Sequence, residues 1–137
     1  WIGLVGSEMC IRDRDIGADF GISPGFETEI LKYAQENKFS YIPGVSTASE
    51  IISCLKFDCN LLKLFPAEPL GGISYLNSLS GPFPNVSFCP TGGINSGNYL
   101  SWLSQKNVLC VGGSWIAPKN DNNYDKIKKR ALEVLKN

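Results

Sequence analysis

From about residue 18 onward, this 137-residue chain repeats one unit five times: a short β-rich run, a turn carrying Gly or Pro, and a helical stretch. "DFGISPG" leads to "FETEILKYAQEN", "SYIPGVS" to "TASEIISCLK", and "LLKLFPA" to "GGISYLNSL"; "VSFCPTGGI" then leads to "NYLSWLSQ", and "VLCVGGSW" to "YDKIKKRALEVLK". Strands that alternate with helices predict a parallel sheet covered by helices, because parallel strands need crossover connections. The sheet is either a closed barrel or an open doubly wound sheet. In every unit the Gly, Pro, Ser and Thr residues follow the strand and precede the helix, at the strand C-terminal ends. That is the functional face of either architecture.

The first seventeen residues do not join this pattern. "VGSEMCIRDR" has no apolar periodicity and supplies no strand. It also resembles a peptide produced when sequencing-adapter DNA is translated in assembled reading frames. The expectation is a non-native or unstructured segment over 1–17, foreign up to about Arg14, ahead of a partial (β/α) domain over 18–137; a divergent loop is the other reading.

Composition narrows the chemistry. The chain contains no histidine, which removes Ser-His-Asp and Cys-His catalysis and the common histidine metal sites. Lysine, carboxylates, tyrosine and thiols remain as nucleophiles or bases. Thirteen basic and thirteen acidic residues balance, so neither a nucleic-acid footprint nor strong attraction to an anionic membrane is expected. No apolar run is long enough for a transmembrane helix and no signal-peptide pattern opens the chain, so the sequence-based expectation is a cytoplasmic protein. Cys10, Cys54, Cys59, Cys89 and Cys110 lack CxxC spacing, and the last four sit among apolar neighbours, as reduced core residues would.

Lys63 stands inside the apolar run "LLKLFPAEPLGG". As a strand, this run turns Leu61, Lys63 and Phe65 to one face and Leu62 and Leu64 to the other, and both faces read as buried. A lone lysine most commonly lays its stem on apolar surface and sends its amine to solvent. Here the amine sits in a strand interior that ends at Pro66, on the functional face. Partial desolvation there lowers its pKa, and a neutral amine can form a Schiff base with a carbonyl. Two glycine turns, "PTGGI" (Pro90 to Ile94) and "GGSW" (Gly112 to Trp115), close the last two strands, where backbone amides can converge on an anion.

Taken in order, "ISPG" (Ile22 to Gly25), "IPGVST" (Ile42 to Thr47), "KLFPAE" (Lys63 to Glu68), "FCPTGGI" (Phe88 to Ile94) and "VLCVGGSW" (Val108 to Trp115) resemble the 2-keto-3-deoxy-6-phosphogluconate aldolase family, also called the bifunctional 4-hydroxy-2-oxoglutarate aldolases. The resemblance runs from about Ala18 to the C-terminus. It implies a class I aldolase on a (β/α)8 TIM barrel that acts on a small keto acid, needs no metal or cofactor, and is a homotrimer when full length. Lys63 matches the family's Schiff-base lysine, and Phe65 the aromatic residue beside it. Pro24 matches a pocket wall on the fourth strand; Thr91, Gly92 and Gly93 match the substrate pocket at the seventh; Gly92 and Gly93 together with Gly112, Gly113 and Ser114 match the phosphate site.

The family's catalytic glutamate and carboxylate-binding arginine have no counterpart here, and its threonine ahead of "ISPG" falls in the segment set aside above. The chain thus reads as the last five of eight βα units, expected to be a poor catalyst by itself and prone to self-association. Glu68 follows Pro66 in a loop, where solvation or helix capping is expected rather than service as the missing base. The "KIKKR" run is expected to be a solvated face of the last helix, with Ile127, Leu132 and Leu135 inward; Trp102, Trp115, Tyr33 and Tyr99 are expected to be packing residues. Two other readings remain: a non-catalytic phosphate-binding or assembly barrel fragment, and another phosphate-binding barrel enzyme such as a thiamin-phosphate synthase or an epimerase. The last has no use for Lys63 on its strand.

Overall fold

The computed structural model describes residues 15 and 17–135, so the "VGSEMCIRDR" stretch lies outside the described residues. The strands placed among the described residues are β1 (Gly21–Ile22), β2 (Tyr41–Ile42), β3 (Gly44–Val45), β4 (Leu61–Leu64) and β5 (Ser87–Phe88). The helices bounded among them are α1 (Thr28–Glu36), α2 (Ala48–Leu55), α3 (Gly72–Ser80), α4 (Tyr99–Leu103) and α5 (Tyr124–Leu135). Each helical stretch expected from the sequence is present, and all the strand pairs are parallel.

The strands make two small sheets, β1-β2 and β3-β4-β5. The second unit supplies two strands rather than one because Pro43, which has no N–H to donate, separates β2 from β3. On one side of it the chain pairs with β1 (Ile22↔Ile42), and on the other with β4 (Gly44↔Lys63). The predicted fifth strand is reduced to two isolated bridges, Phe88↔Val108 and Thr91↔Gly112. Between them one side advances from 88 to 91 and the other from 108 to 112, so an extra residue is inserted. Such a bulge disrupts the ladder and bends the strand. The described residues therefore form an α/β fold of small parallel sheets rather than the continuous five-stranded part of a (β/α)8 barrel expected from the sequence.

The core joins the strands to the helices. Leu62, Leu64 and Phe88 are fully buried in one cluster with Ile51, Leu76 and Trp102. Helix α1 buries Ile30, Leu31 and Ala34, one stripe of its surface. Helix α2 starts with a capping box: Glu50 Oε2 accepts from the amides of Ser46 and Thr47, both at 2.7 Å, and the Thr47 side chain accepts from the Glu50 amide. Trp102 and Tyr99 are buried as expected, and the Tyr99 and Trp115 rings pack at 5.8 Å.

Three expectations are corrected. Cys110 is exposed rather than a core residue, since it lies in the bulged segment; Cys54 and Cys89 are buried, Cys59 is half-buried, and all four are free. On α5, Leu132 is 46% exposed and Val134 packs against the core instead. Arg130 is not part of a solvated face: it donates from Nε to the Ile116 carbonyl at 2.9 Å and pairs with Asp121 at 2.5 Å, tying the preceding loop to the helix.

Gly44 joins the two sheets, and a Cβ there would run into the backbone of Pro24. Overpacking against backbone that cannot swing aside costs about 1–3 kcal/mol. Gly44→Ala is therefore expected to lower the unfolding free energy measured by urea titration by an amount in that range, with a lower midpoint. An unchanged midpoint would show that the Pro24 segment does not rest on β3.

Candidate active site

Hydrogen bonds on both sides fix Lys63 in the middle of a sheet. Its amide donates to the Pro43 carbonyl at 2.8 Å and that of Phe65 to Val45 at 3.1 Å, while Leu62 and Leu64 accept from Cys89 at 2.8 Å and Thr91 at 3.0 Å. The alternation splits the strand as its sequence requires. Leu62 and Leu64 are fully buried against the helices, whereas Leu61, Lys63 and Phe65 are half-buried on the opposite face. Only one face is thus closed, where the sequence suggested two.

The Lys63 ammonium lies 5.0 Å from the centroid of the Phe65 ring. Burial pushes the Lys63 pKa below its ordinary value, opposed by the neighbouring Cys89 thiol. Burial likewise pushes Cys89 up to about 12, so this neighbour stays an uncharged thiol at neutral pH. Phe65 is held in turn by Ser46, whose Oγ donates to the Phe65 carbonyl at 2.6 Å, and Tyr75 Oη donates to the Ser46 carbonyl at 2.7 Å. Sequence reading missed this support, although the Thr47-x-x-Glu50 capping spacing that sets the loop was legible.

The glycine turns sit beside this lysine. A Cβ on Gly92 would lie 3.1 Å from Pro66 Cα and 3.3 Å from the Phe65 ring, so that turn rests on the end of β4. Thr91 bridges to Gly112, and Gly113 packs against the Ile94 carbonyl and the Trp115 ring. Pro24, itself exposed, contacts Gly44, the partner of Lys63 in register. Pro24 thus follows β1, Lys63 and Phe65 lie at the end of β4, Thr91, Gly92 and Gly93 follow β5, and Gly112 sits in an isolated bridge with Gly113 next to it. Ser114 is exposed beyond the last of them.

The carbonyls of the first turn are occupied. Thr91 accepts from Ala67 at 2.8 Å, Gly92 from the Glu68 amide at 3.0 Å, and Gly93 from the Asn98 side chain at 3.0 Å. By contrast, the amides of Gly92, Gly93, Gly113 and Ser114 donate to no group among the described residues. Converging unpaired amides can hold an anion. The Glu68 carboxylate accepts from Trp102 Nε1 at 2.8 Å and Asn98 Nδ2 at 3.2 Å, so it is bound by side chains of the next unit rather than only solvated.

A lysine partly removed from water on a parallel strand, with the Gly92–Gly93 turn resting on the end of that strand, defines an α/β protein with a candidate reactive amine. The family model described as KDPG and KHG aldolase matches residues 3–130, and the chain belongs to that family. The KHG/KDPG aldolase of Escherichia coli (strain K12) is 44% identical over 124 residues, covering 88% of this chain. The chain spans 58% of that relative's length. Among solved structures, the KDPG aldolase of Legionella pneumophila, with pyruvate captured as a covalent carbinolamine intermediate, superimposes with a TM-score of 0.90 at 42% identity, covering 96% of this chain and 65% of that one. The KDPG aldolase of Zymomonas mobilis ZM4 with 3-phosphoglycerate gives 0.87 at 35% identity, covering 94% and 61%.

The neutral fraction of Lys63 rises with pH around a depressed midpoint. Its titration, followed by NMR after isotopic methylation of the amines, should therefore be centred below the ordinary lysine value of 10.5. A midpoint at or above that value would mean that the strand face is not desolvating the amine.

Proposed function

We propose that the chain belongs to a class I aldolase in which Lys63 forms a Schiff base with the keto group of 2-keto-3-deoxy-6-phosphogluconate, giving pyruvate and glyceraldehyde 3-phosphate. The related cleavage of 4-hydroxy-2-oxoglutarate to pyruvate and glyoxylate uses the same chemistry. The observation that carries this reading is the half-buried Lys63 with its depressed pKa, stacked beside Phe65 and next to turns with unpaired amides. The covalent pyruvate adduct of the Legionella pneumophila relative supports it.

In the proposed reaction the neutral amine adds to the C2 carbonyl and water is lost. The protonated imine then accepts the electron pair of the C3–C4 bond as the C4 hydroxyl gives up its proton to a base, leaving an enamine of pyruvate and a free aldehyde. Protonation at C3 and hydrolysis of the imine release pyruvate and restore Lys63. Glu68 is not assigned as the base, because Trp102 and Asn98 hold its carboxylate. Thr91 and Pro24 would border the substrate, while Gly92, Gly93, Gly112, Gly113 and Ser114 would take the phosphate through backbone amides. The phosphoglycerate of the Zymomonas mobilis relative supports an anion of that kind. We read the five units as part of a (β/α)8 barrel in a homotrimeric, cytoplasmic enzyme, with residues 1–17 as an appended segment, although the family match already begins at residue 3.

The direct test is reduction in the presence of pyruvate. Borohydride should fix a pyruvyl adduct on the peptide bearing Lys63, and Lys63→Arg should remove it, since a guanidinium stays protonated and does not form imines. Label on Lys56 or Lys106 instead would sink the assignment.

The phosphate reading is tested separately. Ser114→Asp brings a negative charge to the turn without the collision with Trp115 that a side chain at Gly113 would cause. It should weaken binding of 3-phosphoglycerate by about tenfold or more while leaving the pyruvate adduct intact. Equal loss of both would point to a damaged fold rather than a phosphate contact.

A further inference from the structure

Glu68 has no part in the mechanism above, yet it meets the Gly92–Gly93 turn through both its backbone and its side chain. Its amide donates to the Gly92 carbonyl at 3.0 Å, one residue after Ala67 donates to Thr91 at 2.8 Å. Its methylenes lie flat on Gly93, where a Cβ would approach Glu68 Cβ and Cγ at 2.5 and 2.6 Å. Its Oε1 accepts from the indole of Trp102, a fully buried ring, at 2.8 Å and from Asn98 at 3.2 Å; Asn98 also donates to the Gly93 carbonyl at 3.0 Å. Gly92 and Gly93 both have positive φ, +98° and +84°.

These contacts determine where the turn amides point. In a trans peptide the carbonyl and the following N–H lie in one plane and face opposite ways. Binding the Thr91 and Gly92 carbonyls to the Ala67–Glu68 loop turns the amides of Gly92 and Gly93 away from that loop, toward open space. The turn has no regular ladder of its own to hold two positive-φ residues in place, so its shape depends on what backs it.

We infer that Glu68 is a positioning residue of the anion site: clamped by Trp102 and Asn98, it backs the Gly92–Gly93 turn and aims its amides at the phosphate of a sugar-acid or triose phosphate. This rests on the phosphate reading proposed above. It also separates from simple electrostatics by sign. A carboxylate near a phosphate repels it, so if Glu68 acted only through its charge, removing it would tighten binding. If it positions the turn, removing it weakens binding.

The test is titration of the isotopically labelled chain with inorganic phosphate and with 3-phosphoglycerate, followed by amide NMR. In the unsubstituted chain the Gly92 and Gly93 amides should shift. Glu68→Ala should weaken the apparent affinity about tenfold, the scale of a lost hydrogen bond to a charged group. Glu68→Gln keeps an acceptor for Trp102 and Asn98 and should stay within about twofold of the original. Trp102→Phe keeps the aromatic packing but removes the indole donor, and should fall on the weakened side. Pyruvate trapping at Lys63 should persist in all three variants, which separates a misplaced turn from an unfolded chain. Unchanged or tighter phosphate binding in Glu68→Ala overturns the positioning role while leaving the phosphate site standing. If phosphate does not shift the Gly92 and Gly93 amides of the unsubstituted chain, the phosphate reading falls and this inference falls with it.

Discussion

The two-sided hydrogen-bond ladder of β4 is the constraint on which the rest depends. It binds Lys63 to Pro43 and Phe65 to Val45 on one side, and Cys89 and Thr91 to β4 on the other. A strand held at both edges cannot slip by one residue without reversing every side chain, and a slip here would send Lys63 into the leucine core and Leu64 onto the half-buried face. The two fully buried leucines, Leu62 and Leu64, contribute roughly 1.5–3 kcal/mol each to keeping the register. The same alternation that seals one face leaves the other free to hold an amine at intermediate burial.

Intermediate burial suits the proposed chemistry. A fully exposed lysine is protonated at neutral pH and does not attack a carbonyl; a fully buried one has no access to substrate. Lys63 lies between these limits, with the Phe65 ring beside it and an uncharged thiol as its neighbour. A carboxylate in the position of Cys89 would stabilise the ammonium and raise the pKa that burial has lowered.

Local features were legible in the sequence where local physics decides them. Helix positions followed from apolar spacing and the Gly and Pro punctuation, and Lys63 lies on the strand expected of it with the Gly92–Gly93 turn after the next. What the sequence did not disclose depends on partners distant along the chain. The exchange of partners at Pro43 depends on which neighbour each half of the strand meets. The bulge opposite Phe88 to Thr91 follows from fitting 108–112 beside a partner containing Pro90, which lacks an N–H. Glu68 read as a loop acid because its partner Trp102 is 34 positions away. Leu132 was assigned inward from helical spacing, but the stripe of α5 that meets the core runs through Val134.

The glycine turns show how a barely structured segment can be specific. In a regular strand successive carbonyls alternate sides, so a ladder presents as many acceptors as donors to any neighbour. Here three consecutive carbonyls, of Thr91, Gly92 and Gly93, are satisfied by the Ala67–Glu68 loop and Asn98. Gathering them on one side requires backbone angles that L side chains rarely adopt, and Gly92 and Gly93 supply them with positive φ. The amides that follow those carbonyls are then aligned on the opposite side, without acceptors among the described residues. Such a surface has partial positive charge even though the chain as a whole carries none. In the proposed phosphate site, preference for an anion would come from the directions in which these peptide planes are locked rather than from a charged side chain.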